Sequence, residues 1–328
     1  MSLPNPYVAI LDVGHGNSAI LHDQENSFIV DCVPGSSILE FLTSEGIKIV
    51  DSVFLSHADQ DHIEGLVNLI ASDEITINKV YVNSDSTKKS ALWDDLLFTI
   101  SKSSAQGGTQ LHIGLTRTSG TFQCGSINLE TVGPSAYLAG KSPGGENRLG
   151  RKITSNSISS SFRISWNSKI VAYLAGDIDQ VSLDDIVEFE FPIDAPLLVF
   201  PHHGGKSDNA DITVFSEQLC ELVKAETVIF SIGRNKHSNP RPEVVKAVRA
   251  KIPNVRIACT QLSKNCSLAI PKTTSSHLLS LFSQGRSSNS CCNGTFIINL
   301  LDKISYSPDY SEHINFIKAE VENPMCLN

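Results

Sequence analysis

Short β-branched or apolar runs alternate with polar turns through the first third of the chain. "YVAILDV" (7–13), "SAILHD" (18–23) and "SFIVDC" (27–32) are separated by "GHGN" and "QEN", which predicts a hairpin-rich sheet. Helical spacing then appears in "SSILEFLTSEGI" (36–47), which ends at Gly46. It returns in "DHIEGLVNLIAS" (61–72) and "SALWDDLLFTISKSSA" (90–105), with strands "VDSVFL" (50–55) and "INKVYVN" (77–83) between. The second half repeats the theme. Strands are predicted at 126–133, 159–167, 168–176, 195–201, 226–233, 255–261 and 294–300, and helices at 211–225 and 242–252. The Gly-rich polar stretch 137–157 reads as a long loop. The Ser-rich stretch 273–294 reads as partly mobile, and a polar tail with one short helix closes the chain. Two β-then-α halves predict an α/β protein with two sheets face to face and helices outside.

Bulk properties narrow this picture. At 328 residues, with 41% apolar and 19% charged side chains, the chain suits one large domain with a sizeable core. The N-terminus lacks the basic region of a signal peptide, and no apolar run approaches the roughly 20 residues that cross a bilayer. The expectation is a cytoplasmic protein with no membrane partner. Its eight cysteines are scattered without a C-x-x-C pair, so buried thiols fit better than a disulfide framework or a zinc ribbon. Adjacent Cys291 and Cys292 could bind a soft metal, but nothing nearby in sequence completes a site. A net charge of −9 gives no global field to gather a polyanion. Nucleic acid would have to be held locally, by "RLGRK" (148–152) or "GRNKHSNPR" (233–241), either of which could equally be solvated loop.

The candidate chemistry begins in "FLSHADQDHIEGL" (54–66), where His57, Asp59, Asp61 and His62 fall within six positions between a buried strand and a helix. Imidazole suits zinc, iron and manganese, and carboxylates suit harder cations. Residues 61 and 62 cannot point the same way as 57 and 59, so two adjacent cations fit better than one. The competing explanation is a polar turn in which Asp59 or Asp61 caps the helix. Two later stretches favour metal. Asp177 ends the apolar strand of "AYLAGDID" after a glycine and could bridge two cations, and "LLVFPHHGGKSD" ends another strand in His202 and His203.

H-x-D-x-D-H after a strand, then G-D, then P-H-H-G, resembles the metallo-β-lactamase superfamily. Asp59 stands where most members carry a second His. This variant is similar to the soluble hydrolase domain of ComEC-type competence proteins and their free-standing relatives. "LDVGHGNSAIL" (11–21) resembles that group's D-V-G-Q-G-D-S-x-L opening, "FIVDC" (28–32) its I-x-D strand, and "SIGRNKHSNPRPEVV" (231–245) its S-V-G-x-N-x-Y-G-H-P-x-x-x-V segment. The resemblance implies a four-layer αββα sandwich over residues 1–308, with 309–328 as a tail. It implies a first metal site of His57 and Asp59, with Asn156 a further candidate ligand. A second site would use Asp61, His62 and either His202 or His203, with Asp177 bridging both. The chain departs from the pattern at His15 and Asn17 (usually Gln and Asp), at Gly205 (usually Ser) and at Asn239 (usually His, with His237 two places earlier). These changes fall on the substrate side.

Two cations, Zn²⁺ or Mn²⁺, would clamp a hydroxide and neutralise charge on a phosphoryl oxygen, so phosphodiester hydrolysis is the natural reaction. Asp59 tilts the first site from zinc toward manganese. His203 or His237 would protonate the leaving alkoxide, and Lys206 or Arg234 would hold the phosphate. The leading reading is a phosphodiesterase acting on DNA as a nuclease; the alternatives are a phosphoesterase acting on a nucleotide or phosphocholine-like ester, and a metal-binding regulatory module without turnover.

Overall fold

The computed structural model describes residues 3–327 apart from 34, 73, 84, 86, 87, 207–210, 235, 236, 273 and 274. Lys236 of the second basic segment and the end of "LLVFPHHGGKSD" thus lie outside the described residues. The first sheet runs β15 (Ser305–Ser307), β14 (Phe296–Asn299), β1 (Tyr7–Ile10), β2 (Ala19–Asp23), β3 (Asn26–Val30), β4 (Ile49–Leu55), β5 (Thr76–Val82), β6 (Gln110–Ile113). The second runs β13 (Arg256–Cys259), β12 (Thr227–Phe230), β11 (Leu197–Val199), β10 (Lys169–Leu174), β9 (Ser161–Trp166), β8 (Ile127–Gly133), β7 (Thr121–Cys124). Both sheets are mixed: β3 to β6 are mutually parallel, as are β10 to β13, and the remaining pairs are antiparallel.

Alternation along each strand decides what faces what. In β1, Val8 and Ile10 pack between the sheets, while Tyr7 and Ala9 face outward against helices. In β4 the inward residue is Phe54, with Val53 and Leu55 outward. Phe54 is the hub of the inter-sheet core, edge-on to Phe28, Phe122 and Phe162 and stacked on Tyr81. Truncating such a ring costs about 3–5 kcal/mol. Helices α1 (Ser37–Ser44), α2 (Gln60–Ala71) and α3 (Ala91–Ala105) bury Phe41, Leu66 and Leu96 on the first sheet's outer face. Helices α5 (Gln180–Glu188), α6 (Ile212–Val223) and α7 (Pro242–Lys251) bury Leu183, Phe215 and Val248 on the second. In the tail, α8 (Tyr310–Glu320) buries Phe316 and Ile317. Four layers result, αββα, as the two β-then-α halves predict.

Several elements depart from the sequence reading. β6, β7, α5 and β15 are additional. The expected loop 137–157 contains α4 (Ala136–Lys141), a bridge between Glu146 and Lys152, and a 3₁₀ turn at Asn156–Ile158. Ser135 and Asp179, capping α4 and α5, explain these starts, since each accepts a backbone N–H of the first turn. In the Ser-rich segment, Gln284–Ser288 forms a 3₁₀ turn with Ser283 and Ser290 buried beside it. No helix among the described residues is long and apolar enough to cross a membrane.

Candidate metal centre

The site forms where the parallel strands of both sheets end. β4 delivers His57, β10 delivers Asp177, β11 delivers His202 and His203, and β1 leads into the turn holding His15. Binding at the carboxyl ends of parallel strands is the general habit of α/β sheets. Buried polar clamps join the two edges: Ser160 N–H donates to the Ser56 carbonyl (2.7 Å), and the Asn83 amide donates to the carbonyls of Ser56 and Ile158. Gly176 allows the turn before Asp177, with φ +60° and no room for a Cβ beside the Ser160 carbonyl. His202 and His203 both adopt left-handed backbone angles while buried, a strained geometry of the kind concentrated at functional sites.

Two groups of potential ligands converge, each with its ligand atoms within 4.8 Å of one another: His57, His62 and Asp177, and His15, Asp61 and His203. This differs from the expected division, which put His62 with Asp61. Asp59 is the first residue of the α2 cap, so His62 sits on the inner face of the first helical turn and turns back toward His57, their rings 4.1 Å apart. Asp61, on the neighbouring position, faces the other group. Asp59 lies beside the first group, 3.7 Å from His57 Nε2, and makes no side-chain capping bond to α2. The capping explanation for it therefore fails. Its other oxygen is paired with Lys88, a partner 29 residues away that no spacing argument reaches.

The imidazole orientations are fixed from behind. His62 Nδ1 donates to Asp31 at 2.7 Å. Ser56 Oγ gives its one proton to Asp31, so it accepts from His57 Nδ1 at 3.0 Å. His203 Nδ1 donates to the Ser231 carbonyl at 2.8 Å. In all three rings Nε2 faces the centre, and all three Nε2 atoms are buried without a hydrogen-bond partner. A carboxylate behind His62, a carboxylate-bound hydroxyl behind His57 and a carbonyl behind His203 provide the kind of acceptors that orient metal-binding histidines. His202 belongs to neither ligand group: its Nε2 bonds the Ile178 carbonyl, its Nδ1 lies 3.6 Å from Asp177 Oδ2, and its backbone N–H donates to Asp177. Of the two candidate histidines, His203 joins a ligand group and His202 steadies Asp177.

Electrostatics favours cations at this point. Burial alone would raise Asp177 and Asp61, but His202 and His62 beside the first, and His203 and His62 beside the second, hold both carboxyls well below the usual range. Contact with His57, supported by Lys88, does the same for Asp59. Burial works against charge on His62, yet Asp31 and Asp177 overcome it and push the imidazole well above its ordinary value. Carboxylates set among inward-facing Nε2 atoms form a donor set that fits divalent cations, which would displace the proton on His62 Nε2 as they bind.

Above the ligands opens a cavity of about 670 Å³, lined by Lys206, His237, Ser238, Asn239, Arg241 and Asn265 among others. Asn156 sits in the 3₁₀ turn with its backbone carbonyl accepting from Ser182. Two expectations meet a different outcome. Arg234 is buried, its guanidinium spent on the carbonyls of Leu262, Ser267, Leu268 and Ala269, so it faces no phosphate. His15, read as a substrate-side change, stands among the ligands. Asp31, quoted only within its strand motif, orients them.

Comparison with known proteins follows this geometry. Residues 9–141 match the family described as anti-Pycsar protein Apyc1. Over 216 residues the chain is 22% identical to ComE operon protein 3 of Bacillus subtilis, an alignment covering 65% of this chain and 24% of that protein. The chain thus spans about a quarter of the length of that curated relative. Among solved structures, the metallo-β-lactamase fold protein YhfI of Bacillus subtilis is 12% identical with a TM-score of 0.48, covering 78% of this chain and 97% of its own. A diphosphatase of the PhnP family is 14% identical with a TM-score of 0.46, covering 77% and 94%. With its ordered motifs and αββα layering, the chain has the metallo-β-lactamase fold.

Proposed function

We propose that this protein is a metal-dependent phosphodiesterase whose substrate is a small cyclic nucleotide. The observation that carries the metal-dependent chemistry is the set of buried, unpartnered Nε2 atoms of His57, His62 and His203 set among Asp61 and Asp177. Two divalent cations held there would supply Lewis acidity and a water acidic enough to ionise near neutral pH. The chain's own groups would do the rest. Lys206 would hold the non-bridging phosphoryl oxygens, and His237 would deliver a proton to the leaving ribose oxygen. Water adds to phosphorus, one P–O ester bond breaks, and the ring opens to a phosphomonoester.

Size and charge support a small substrate over DNA. A cavity of about 670 Å³ suits a single nucleotide. The arginines of the two basic segments that could grip a polyanion are paired or buried. Arg148 pairs with Glu188, Arg151 with Asp184 and Arg241 with Glu243, while Arg234 is buried. The match to the anti-Pycsar family over residues 9–141, which hold His15, His57, Asp59, Asp61 and His62, supports a cyclic nucleotide in particular. The test is turnover of cyclic mononucleotides, bis-p-nitrophenyl phosphate and plasmid DNA by the Zn²⁺- or Mn²⁺-loaded protein. The reading expects ring opening of a cyclic mononucleotide to dominate. Preferential cutting of the plasmid would replace it with a nuclease.

A further inference from the structure

We infer that His15 is a ligand of the second cation, so that the two metal positions differ in chemistry. The inference rests on the dimetal reading and extends it to a residue that stands outside the metal-binding segments of the sequence. Its geometry is specific. His15 Nε2 lies 3.4 Å from Asp61 Oδ2, and His203 Nε2 lies 3.5 Å from that same oxygen. Donors bound at about 2.0–2.1 Å around a tetrahedral ion stand about 3.3–3.4 Å apart along each edge. The spacing in the metal-free chain is therefore already close to a ligand shell.

The turn that presents His15 is built rather than incidental. Asp12, fully buried, gathers Gly14 N–H, the Gln261 amide, Ser283 Oγ and Gly285 N–H on its carboxylate, which pins the end of β1. Ser231 Oγ donates to the Gly16 carbonyl at 2.7 Å. Gly16 has φ +132°, and a Cβ there would lie 2.5 Å from the Asp61 carbonyl, so only glycine brings this turn against the start of α2. The His15 ring is flanked by His203 at 4.4 Å and His237 at 4.8 Å between centroids. The second position then offers two imidazoles and one carboxylate, with its open side on the cavity. Three protein ligands with one open position is the pattern of catalytic zinc. The first position has two imidazoles but can draw on both Asp177 and Asp59, which makes it the harder, more anionic one.

The experiment is metal binding by His15→Gln, measured as bound Zn²⁺ per chain after stripping and reconstitution, together with the visible absorption of the Co²⁺-loaded protein. The wild type should hold two ions. His15→Gln should keep one tightly, bind the second at least ~10-fold more weakly, and lose the second ion's share of the Co²⁺ spectrum. Asp59→Ala should show the converse, a weakened first ion with the second retained. An unchanged melting curve of the metal-stripped variant separates ligand loss from misfolding. Two ions bound by His15→Gln with unchanged affinity would overturn the assignment, as would loss of both together or a wild type that binds fewer than two. A wild type that binds two ions through His15 yet hydrolyses no phosphoester would instead sink the phosphodiesterase reading and leave this one standing.

Discussion

At the candidate metal centre, His15, His57, His62 and His203 stand among Asp59, Asp61 and Asp177. In the C-terminal lobe, Cys259, Cys266, Cys292 and Cys326 line one small cavity with Met325, and His313 Nε2 lies 3.4 Å from Cys292 Sγ. Both regions gather side chains that metals favour. Among the described residues, only the first brings three ligand atoms together. The difference lies in what surrounds the donors. Carboxylates raise His62 above its ordinary value, whereas burial, with His277 and Arg256 beside it, pushes His313 down to about 3. Burial also raises the thiols, Cys326 to about 12 and Cys259 and Cys292 well above their usual value, and only the thiolate binds metal. The C-terminal cavity, at about 10 Å³, has room for at most one water. Donor type alone does not make a metal site; counter-charge, lone-pair direction and space do.

The largest expected effect is at Asp177, which touches both His57 and His62. Asp177→Ala should lower kcat/KM by more than ~100-fold, since even groups one shell behind a ligand cost 10–100-fold when removed. An unchanged rate on a cyclic mononucleotide or on bis-p-nitrophenyl phosphate would break the comparison at its base. Asp31→Asn comes next. It keeps an acceptor for His62 Nδ1 but removes the charge behind it, and titration calorimetry should find metal affinity reduced about 10-fold or more. No substitution in the cysteine pocket should change either measurement.

These residues also show how much of the molecule was legible. His57, Asp59, Asp61, His62, Asp177 and His203 could be picked out because each follows a buried apolar strand, where a polar cluster has no packing role. The partition between cations could not, because it depends on the way the first turn of α2 rotates His62 away from Asp61. Lys88 and Asp31 act across 29 and 31 residues on Asp59 and His62, and nothing local marks such partners. His15 was visible only as an odd residue in a glycine-rich turn. Among the elements, long alternating or helical runs were found, and the four-residue edge strands β6 and β7 were not. β6 is exposed at Gln110, His112 and Ile113, and β7, although Phe122 and Cys124 turn inward, is too short for its alternation to stand out.

A smaller effect separates the two kinds of buried histidine by pH. His313 is held below its ordinary value of 6.5, so the unfolded chain takes up a proton there before the folded chain does. Its neutral form stabilises the fold fully above pH 6.5, and that contribution is lost as pH falls toward 3. The slope is about 1.4 kcal/mol per pH unit. Denaturant unfolding of the metal-loaded protein between pH 7 and 5 should show this loss, and His313→Gln should flatten it. A variant with the wild-type slope would mean that His313 is not the group responsible.

The smallest effect is expected at Cys292. Cys292→Ala removes one sulfur from an apolar pocket and the weak contact with His313, a change worth about 1 kcal/mol. Bound metal per chain should stay at the wild-type value, because a buried neutral thiol without a nearby carboxylate contributes no ligand. The same logic predicts that Cys259, Cys266 and Cys292 resist a thiol reagent at pH 8 in the folded protein and react once it is unfolded. A drop of one bound ion in Cys292→Ala, or fast reaction of these thiols in the native chain, would show that the C-terminal lobe shares the chemistry of the candidate metal centre. The contrast would then have to rest on the size of the two cavities alone.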